Sequence, residues 1–401
     1  MGYFLLALLP GYFLYQINYS SGSIPNLRWF GALIAIALVY FLIRDFMRLI
    51  SRGSITLDQS SLIRIPAFIF FFWMGASIII NHAIRTDEYI TFDGLIWSVT
   101  NLILMYGALL IGKNLYISES KIISFFLAIS FAFFCWGTYT YYSAANSTLI
   151  LPIPDGANPE SVATYQSMAV CVLYTFILLG TKIRSKASKG ALLSVSIILL
   201  YYIGARTELF LALSIAPLYL IIHYNAKKIA AYSSAILLSA VTVSILYGFN
   251  DRVISSFSSN ESVSERFILL DAGMNGISDS PLFGDYLGQY RDFGNFGSYI
   301  HNALSVAQQF GIFEFSLYMY LCITTLLVSL LAFRLAREDS FAESLVYMAA
   351  TSLIAVCAAK PIGWPFPCIA WGMACIMLSR KSPTASVGSY PQARQICKVE
   401  T

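Results

Sequence analysis

Residues 94–112 read GLIWSVTNLILMYGALLIG, without one charge. The hydrocarbon core of a bilayer is about 30 Å thick, and a helix crosses it with roughly 20 apolar residues. Comparable runs recur at 3–17, 29–43, 65–81, 122–141, 162–181, 190–204, 208–222, 229–247, 311–333, 342–359 and 362–379. The chain is 58% hydrophobic and 11% charged, whereas a soluble globular domain carries roughly 25% charged residues. In a bilayer the backbone has no water to bond, so each span must satisfy its own polar groups as a helix. The alternating pattern of a membrane-barrel strand is absent. The expected fold is all-α: a polytopic membrane protein with about 12 transmembrane helices, spanning 1–379, and one larger outer loop, 248–300, inserted in it.

The charges orient this bundle. With the N-terminus in the cytoplasm, the inner loops hold 18 of the 25 Lys and Arg residues. The outer side holds Arg28, Arg85, Arg206, Arg252, Arg266, Arg291 and Lys360. That is the positive-inside bias, and an odd error in the number of spans would destroy it. The net charge of +4 says little about partners, because the charges are sorted by side. Membrane lipids are expected as partners and nucleic acid is not.

Six of the seven cysteines lie in hydrophobic segments and Cys397 lies in the tail, with no CxxC. Neither a disulfide framework nor a cysteine metal site is expected. His82, His223 and His301 are far apart in sequence, which gives no histidine metal pattern. No phosphate-binding Gly-x-x-x-x-Gly-Lys-[Ser/Thr] loop and no Asp-x-Asp occurs, so no metal and no cofactor is expected. The N-terminus reads as a first membrane segment rather than a cleavable signal. The tail 380–401 is polar, contains Pro383 and Pro391, and is expected to be disordered and cytoplasmic.

Two outer loops stand out. The loop 142–161 carries Pro152, Pro154, Asp155, Gly156 and Pro159 and reads as a turn-rich connection. In the loop 248–300, Ser262-Val263-Ser264-Glu265 has capping-box spacing. It predicts a helix at about 263–276 with Arg266 in its first turn. Ser280–Gly284 is a turn signal, and Gly284–Gly297 reads as an irregular surface loop. Ile300, Leu304, Ala307 and Phe310 then repeat at helical spacing, which suggests a short helix at the membrane interface before the next span.

Three outer elements carry plausible chemistry: the tight turn Gly204-Ala205-Arg206-Thr207-Glu208, Arg266 with Arg291 farther along the same loop, and His301-Asn302. Guanidinium groups match phosphate oxygens with forked donors and stay charged at every relevant pH. A histidine beside them can take a proton from an attacking hydroxyl, or orient it. Each residue also has a plainer role. Arg206 can end a span, Arg266 can pair with Glu265 or Asp271, and Arg291 sits beside Asp292. Arg252 and Lys360 are expected to face headgroups or solvent, and Asp271 and Glu208 are possible arginine partners.

In this order and spacing, GARTELFLALSI (204–215), SERFILLDAGMNGISDSPLFG (264–284) and HNALSVAQQFGIFEF (301–315) resemble the O-antigen ligase and O-antigen polymerase superfamily, over roughly residues 195–330. The resemblance implies a multi-pass glycosyltransferase of the bacterial inner membrane, acting at the periplasmic face on undecaprenyl-diphosphate-linked glycans. It implies an inverting, metal-independent displacement, with Arg206, Arg266 and His301 as the catalytic set and Arg291 and Asn302 binding substrate. Ligase activity, with lipid A–core as acceptor, is favoured over polymerase activity, because one outer loop dominates. Two positions depart from the family pattern: Ala205 where Ser is frequent, and Glu314 where a second Gly often follows Gly311. A buried Glu314 near the outer end of a span is costly unless paired or wet. A lipid or ion transporter is the alternative of another class. It is disfavoured because the strongly charged residues fall near span ends or in loops, and because paired Gly/Pro-broken helices are missing.

Overall fold

The computed structural model describes residues 59–84, 91–115, 121–143, 148–151, 165–223, 261–337 and 339–380, with scattered helical positions between 36 and 47. In chain order the helices are α1 (Ser61–Ile84), α2 (Phe92–Asn114), α3 (Lys121–Tyr141), α4 (Tyr165–Lys182), α5 (Lys186–Ile203), α6 (Arg206–His223), α7 (Glu261–Asp279), α8 (Gly288–Phe293), α9 (Leu304–Leu335), α10 (Ser340–Ala358) and α11 (Phe366–Arg380). The strands β1 (Tyr142–Ser143) and β2 (Thr148–Leu149) pair antiparallel inside the loop 142–161; residues 152–161 of that loop lie outside the described residues.

The chain is a mostly helical, multi-pass membrane protein. Among the described residues α1, α2, α5, α6, α9 and α10 are long and apolar enough to cross a membrane, and α11 is a shorter apolar helix. The predicted segments 65–81, 94–112, 122–141, 162–181, 190–204, 208–222, 311–333, 342–359 and 362–379 each coincide with a helix. The segments 3–17 and 229–247, most of 29–43, Arg252 and the tail beyond Arg380 lie outside the described residues. Large apolar side chains such as Phe72 and Leu335 stay outward, each 66% exposed. In water such faces would associate; against acyl chains they are solvated.

Helix α10 is central, packing on α4, α6, α9 and α11. Its start is set by Asp339, whose carboxylate accepts a hydrogen bond from Phe341 N at 2.8 Å. The tightest seam joins α2 to α11. A Cβ placed on Gly112 would lie 2.0 Å from Ile369 O, and one on Gly372 would lie 2.2 Å from Leu109 O. Only glycine lets these backbones touch, the usual device where helices pack without a hydrophobic driving force.

Helix α7 covers the predicted 263–276 and carries Arg266. The rest of the outer loop departs from expectation in two ways. The stretch 284–297 is not an irregular surface loop: it contains α8, and Tyr286, Leu287 and Gln289 are fully buried. The cause is a polar anchor, in which Tyr286 OH donates to Ser98 Oγ at 2.7 Å and lies 3.1 Å from His82 Nε2. Burial pushes the Tyr286 hydroxyl up to about 12 against the lowering effect of its bond to Ser98, so it remains a donor. Finally, residues 305–310 are buried within the protein, where a helix lying on a membrane surface would expose one face.

That last segment is joined to the rest of α9 through Gly311, at φ 87° and ψ 174°. The turn at 280–285 crosses this break. Asp285 N donates to Gln308 O at 2.6 Å, and Ile312 N donates to Pro281 O at 2.8 Å. The outer loop is thereby locked onto the bundle, with Trp73 Nε1 of mid-α1 donating to Phe310 O at 3.3 Å.

Candidate functional site

The turn between α5 and α6 is made by Gly204, at φ 77°, whose N–H closes on Tyr201 O at 3.1 Å. Thr148 Oγ1 of β2 donates to Ile203 O at 2.9 Å and ties the ribbon to the same turn. Arg206 therefore opens α6, where free backbone N–H groups and the helix dipole favour an anion. One residue beyond Thr207, in the same first turn, Glu208 is buried at 1% exposure.

The His301 segment is held by two bonds that its own backbone N–H groups donate. Ala303 N donates to Val356 O of α10 at 2.7 Å, and Ile300 N donates to Gln308 Oε1 at 3.1 Å. Asn302 Oδ1 accepts from Leu304 N at 2.8 Å and shapes the start of α9. The connection between α10 and α11 is fastened to the same place, since Ile362 N donates to Ser305 Oγ at 2.8 Å.

Helix α7 reaches this segment through Gly273, where an added Cβ would lie 2.4 Å from Ile300 Cγ1. Arg266 is seven residues earlier, two turns along the same face. The charge on Arg266 is felt at His301. Burial first, then Arg266 and Lys360, push the His301 imidazole below its ordinary value. It is thus kept neutral and able to accept a proton at neutral pH.

Lys360 is the residue that sequence reasoning placed wrongly. It does not face headgroups or solvent: its side chain is 13% exposed and its Nζ lies 2.5 Å from Glu208 Oε1. Glu208 consequently answers a lysine rather than an arginine. The available signal was that Lys360 is the one lysine assigned to the outer side, where every other basic residue is an arginine.

Arg291 is placed differently from the other two arginines. Its Nε lies 2.8 Å from Asp292 Oδ1, and Nη2 lies 2.8 Å from Asp285 Oδ2. Those bonds, Asp292 first, hold its proton above the usual guanidinium range and occupy its fork. Among the described residues, Arg206 and Arg266 make no ion pair, and the pairing of Arg266 with Glu265 or Asp271 is not formed. Tyr290 stacks on Phe296 with centroids 4.2 Å apart, and Phe296 stacks on Trp97. These stacks tie the loop to α2. Glu314 is fully buried with neither carboxylate oxygen bonded among the described residues.

One end of the bundle thus gathers Arg206, Glu208, Lys360, His301 and Arg266. Among the described residues the two guanidiniums make no ion pair, and Arg266 acts on an imidazole that favours its neutral form. This arrangement can hold a doubly charged leaving group and take a proton from a hydroxyl. No protein-family model and no curated protein matches the sequence.

Proposed function

We propose that the chain is a membrane glycosyltransferase that moves a glycan from undecaprenyl diphosphate to a hydroxyl of lipid A–core at the periplasmic face of the bacterial inner membrane. His301 takes the proton of the acceptor hydroxyl while that oxygen attacks the anomeric carbon. The carbon–oxygen bond to the diphosphate breaks, the configuration inverts, and the electron pair leaves with the diphosphate. Arg206 and Arg266 stabilise the charge that develops there.

The observation that supports this reading is that Arg206 and Arg266 make no ion pair among the described residues, while a half-buried imidazole at the same end of the bundle feels Arg266. Arginine's fork suits a diphosphate, and a neutral histidine suits a general base. The test is transfer by the purified, reconstituted protein. Lipid-linked glycan is supplied with either lipid A–core or a second lipid-linked repeat. Product on lipid A–core is expected; product only on the second repeat makes the protein the polymerase instead. Alanine at Arg206, Arg266 or His301 abolishes transfer while the protein stays in the membrane. Full activity in any two of these variants refutes the assignment.

A further inference from the structure

Lys360 and Glu208 form an ion pair inside the proposed site, and nothing in the reaction above uses either of them. The pair is nearly dry, with side-chain exposures of 13% and 1%. A lone ammonium in such a place is costly, so an empty site needs a counter-ion of its own. The two groups are in direct contact, with Lys360 Nζ 2.5 Å from Glu208 Oε1. The backbone behind Lys360 is fixed, because Lys360 N donates to Ala355 O at 2.8 Å and the flanking residues Val356 and Ile362 bond to Ala303 and Ser305. Only the flexible stem of the lysine is free to swing. Arg206 lies two residues before Glu208 on α6.

We propose that Glu208 is a resident counter-ion that a bound diphosphate displaces, so that Lys360 becomes the third cation on the ligand and the site selects a prenyl diphosphate over a prenyl monophosphate. The inference rests on the reading of the site as one for a lipid-linked diphosphate. Two guanidiniums nearly neutralise a monophosphate. The second phosphate of a diphosphate adds charge that a third cation answers, and a carboxylate beside that cation is the group the second phosphate replaces.

The test is binding of farnesyl diphosphate and farnesyl monophosphate to the purified full chain in nanodiscs, by calorimetry. The decisive variant is the double substitution Glu208→Gln with Lys360→Met, which removes both charges and leaves no buried ion unpaired. It is expected to bind the diphosphate about tenfold more weakly and to lose the preference over the monophosphate. Glu208→Gln alone is expected to tighten diphosphate binding, because the competing state of Lys360 is removed. If wild type binds the diphosphate and Arg206→Ala abolishes that binding, yet the double variant keeps wild-type affinity and preference, the counter-ion role is overturned and the diphosphate site stands. If wild type binds neither lipid, both fall together.

Discussion

Gly311→Ala should cripple the protein through the backbone alone. The native φ of 87° with ψ of 174° lies in a region used essentially by glycine, and holding another residue there costs about 1–3 kcal/mol. The new Cβ would also lie 2.1 Å from Leu282 O and 2.4 Å from Leu282 C. Both are backbone atoms, so no side chain can swing aside, and the turn at 280–285 must move. Such overpacking costs about 1–3 kcal/mol. Moving the turn weakens the bonds from Asp285 N to Gln308 O and from Ile312 N to Pro281 O, worth about 1 kcal/mol each. The terms overlap, giving a total of about 3–6 kcal/mol, a large part of the roughly 5–15 kcal/mol that holds a typical domain folded. Gly294→Ala is the control. Gly294 has φ 65°, but nothing lies within 4 Å of an added Cβ, so only the left-handed backbone penalty of about 1–2 kcal/mol applies. The assay is the midpoint of heat inactivation for both variants in nanodiscs, together with glycan transfer at a permissive temperature. Gly311→Ala should melt far below Gly294→Ala and transfer poorly, since the break follows His301 by only ten residues. Equal midpoints would refute the claim that the crossing holds the loop.

Gly112→Ala and Gly372→Ala each place a methyl group on the facing backbone of α2 or α11; both should reduce the yield of monodisperse protein on size exclusion, and a wild-type profile for both would contradict the close seam. Glu343→Gln strands Lys189, whose Nζ lies 3.5 Å from Glu343 in a pair with side-chain exposures of 8% on each side. A loss of about 3–5 kcal/mol is expected, read as a lower melting midpoint. Arg291→Ala, by contrast, removes a pair whose arginine is 44% exposed and should cost little stability and leave transfer in place. The pH profile tests His301. Its imidazole is lowered by burial, Arg266 and Lys360, and the neutral form is the base, so activity falls as pH drops through that lowered value. Arg266→Gln removes one of the causes, so in the residual activity the acid limb must move to higher pH. The same sign governs stability: the unfolded chain binds this proton more tightly, so the contribution of His301 to stability declines as pH falls through the ordinary imidazole range. An acid limb unmoved by Arg266→Gln would separate the two residues.

The spans were legible because a bilayer imposes one requirement over many residues. An uncharged run such as 94–112 has few alternatives to a crossing helix, and α2 is that helix. Even the short runs 190–204 and 208–222 are helices of membrane-crossing length, joined by the turn that Gly204 announces. The outer loop was harder to read for the opposite reason. Its Gly, Tyr and Phe content suggested an exposed irregular surface, whereas Tyr286 is drawn inward by Ser98 and His82, partners 188 and 204 residues away. Long-range bonds of this kind leave no local period. The close approach of Gly284 to the backbone of Gln309 and Phe310, and of Gly311 to that of Leu282, is likewise invisible, since each glycine alone reads as an ordinary turn or break.

In the site, charge in an apolar chain marks itself, so Arg206, Arg266 and His301 stood out from their surroundings. What the sequence did not give was the pairing that decides which charges are available. Arg291 is occupied by Asp292 and Asp285, while Lys360 is turned inward to Glu208. The latter pair joins the start of α6 to the residues just past α10, and the two helices are tied again at their far ends. There His223 Nε2 of α6 lies 2.6 Å from Glu343 Oε1 of α10, with Lys189 of α5 alongside. Helices α6 and α10 therefore run antiparallel between two charged contacts, Glu208 with Lys360 at one end and His223 with Glu343 at the other. A slip of one turn, about 5.4 Å, would break both at once, leaving four ionisable groups poorly answered in low dielectric. The position of Lys360 beside the His301 segment is therefore a property of helix register across the bundle rather than of the loop in which it sits. This is why a charge change at Glu343, a full helix length away, is expected to disturb the site as well as the fold.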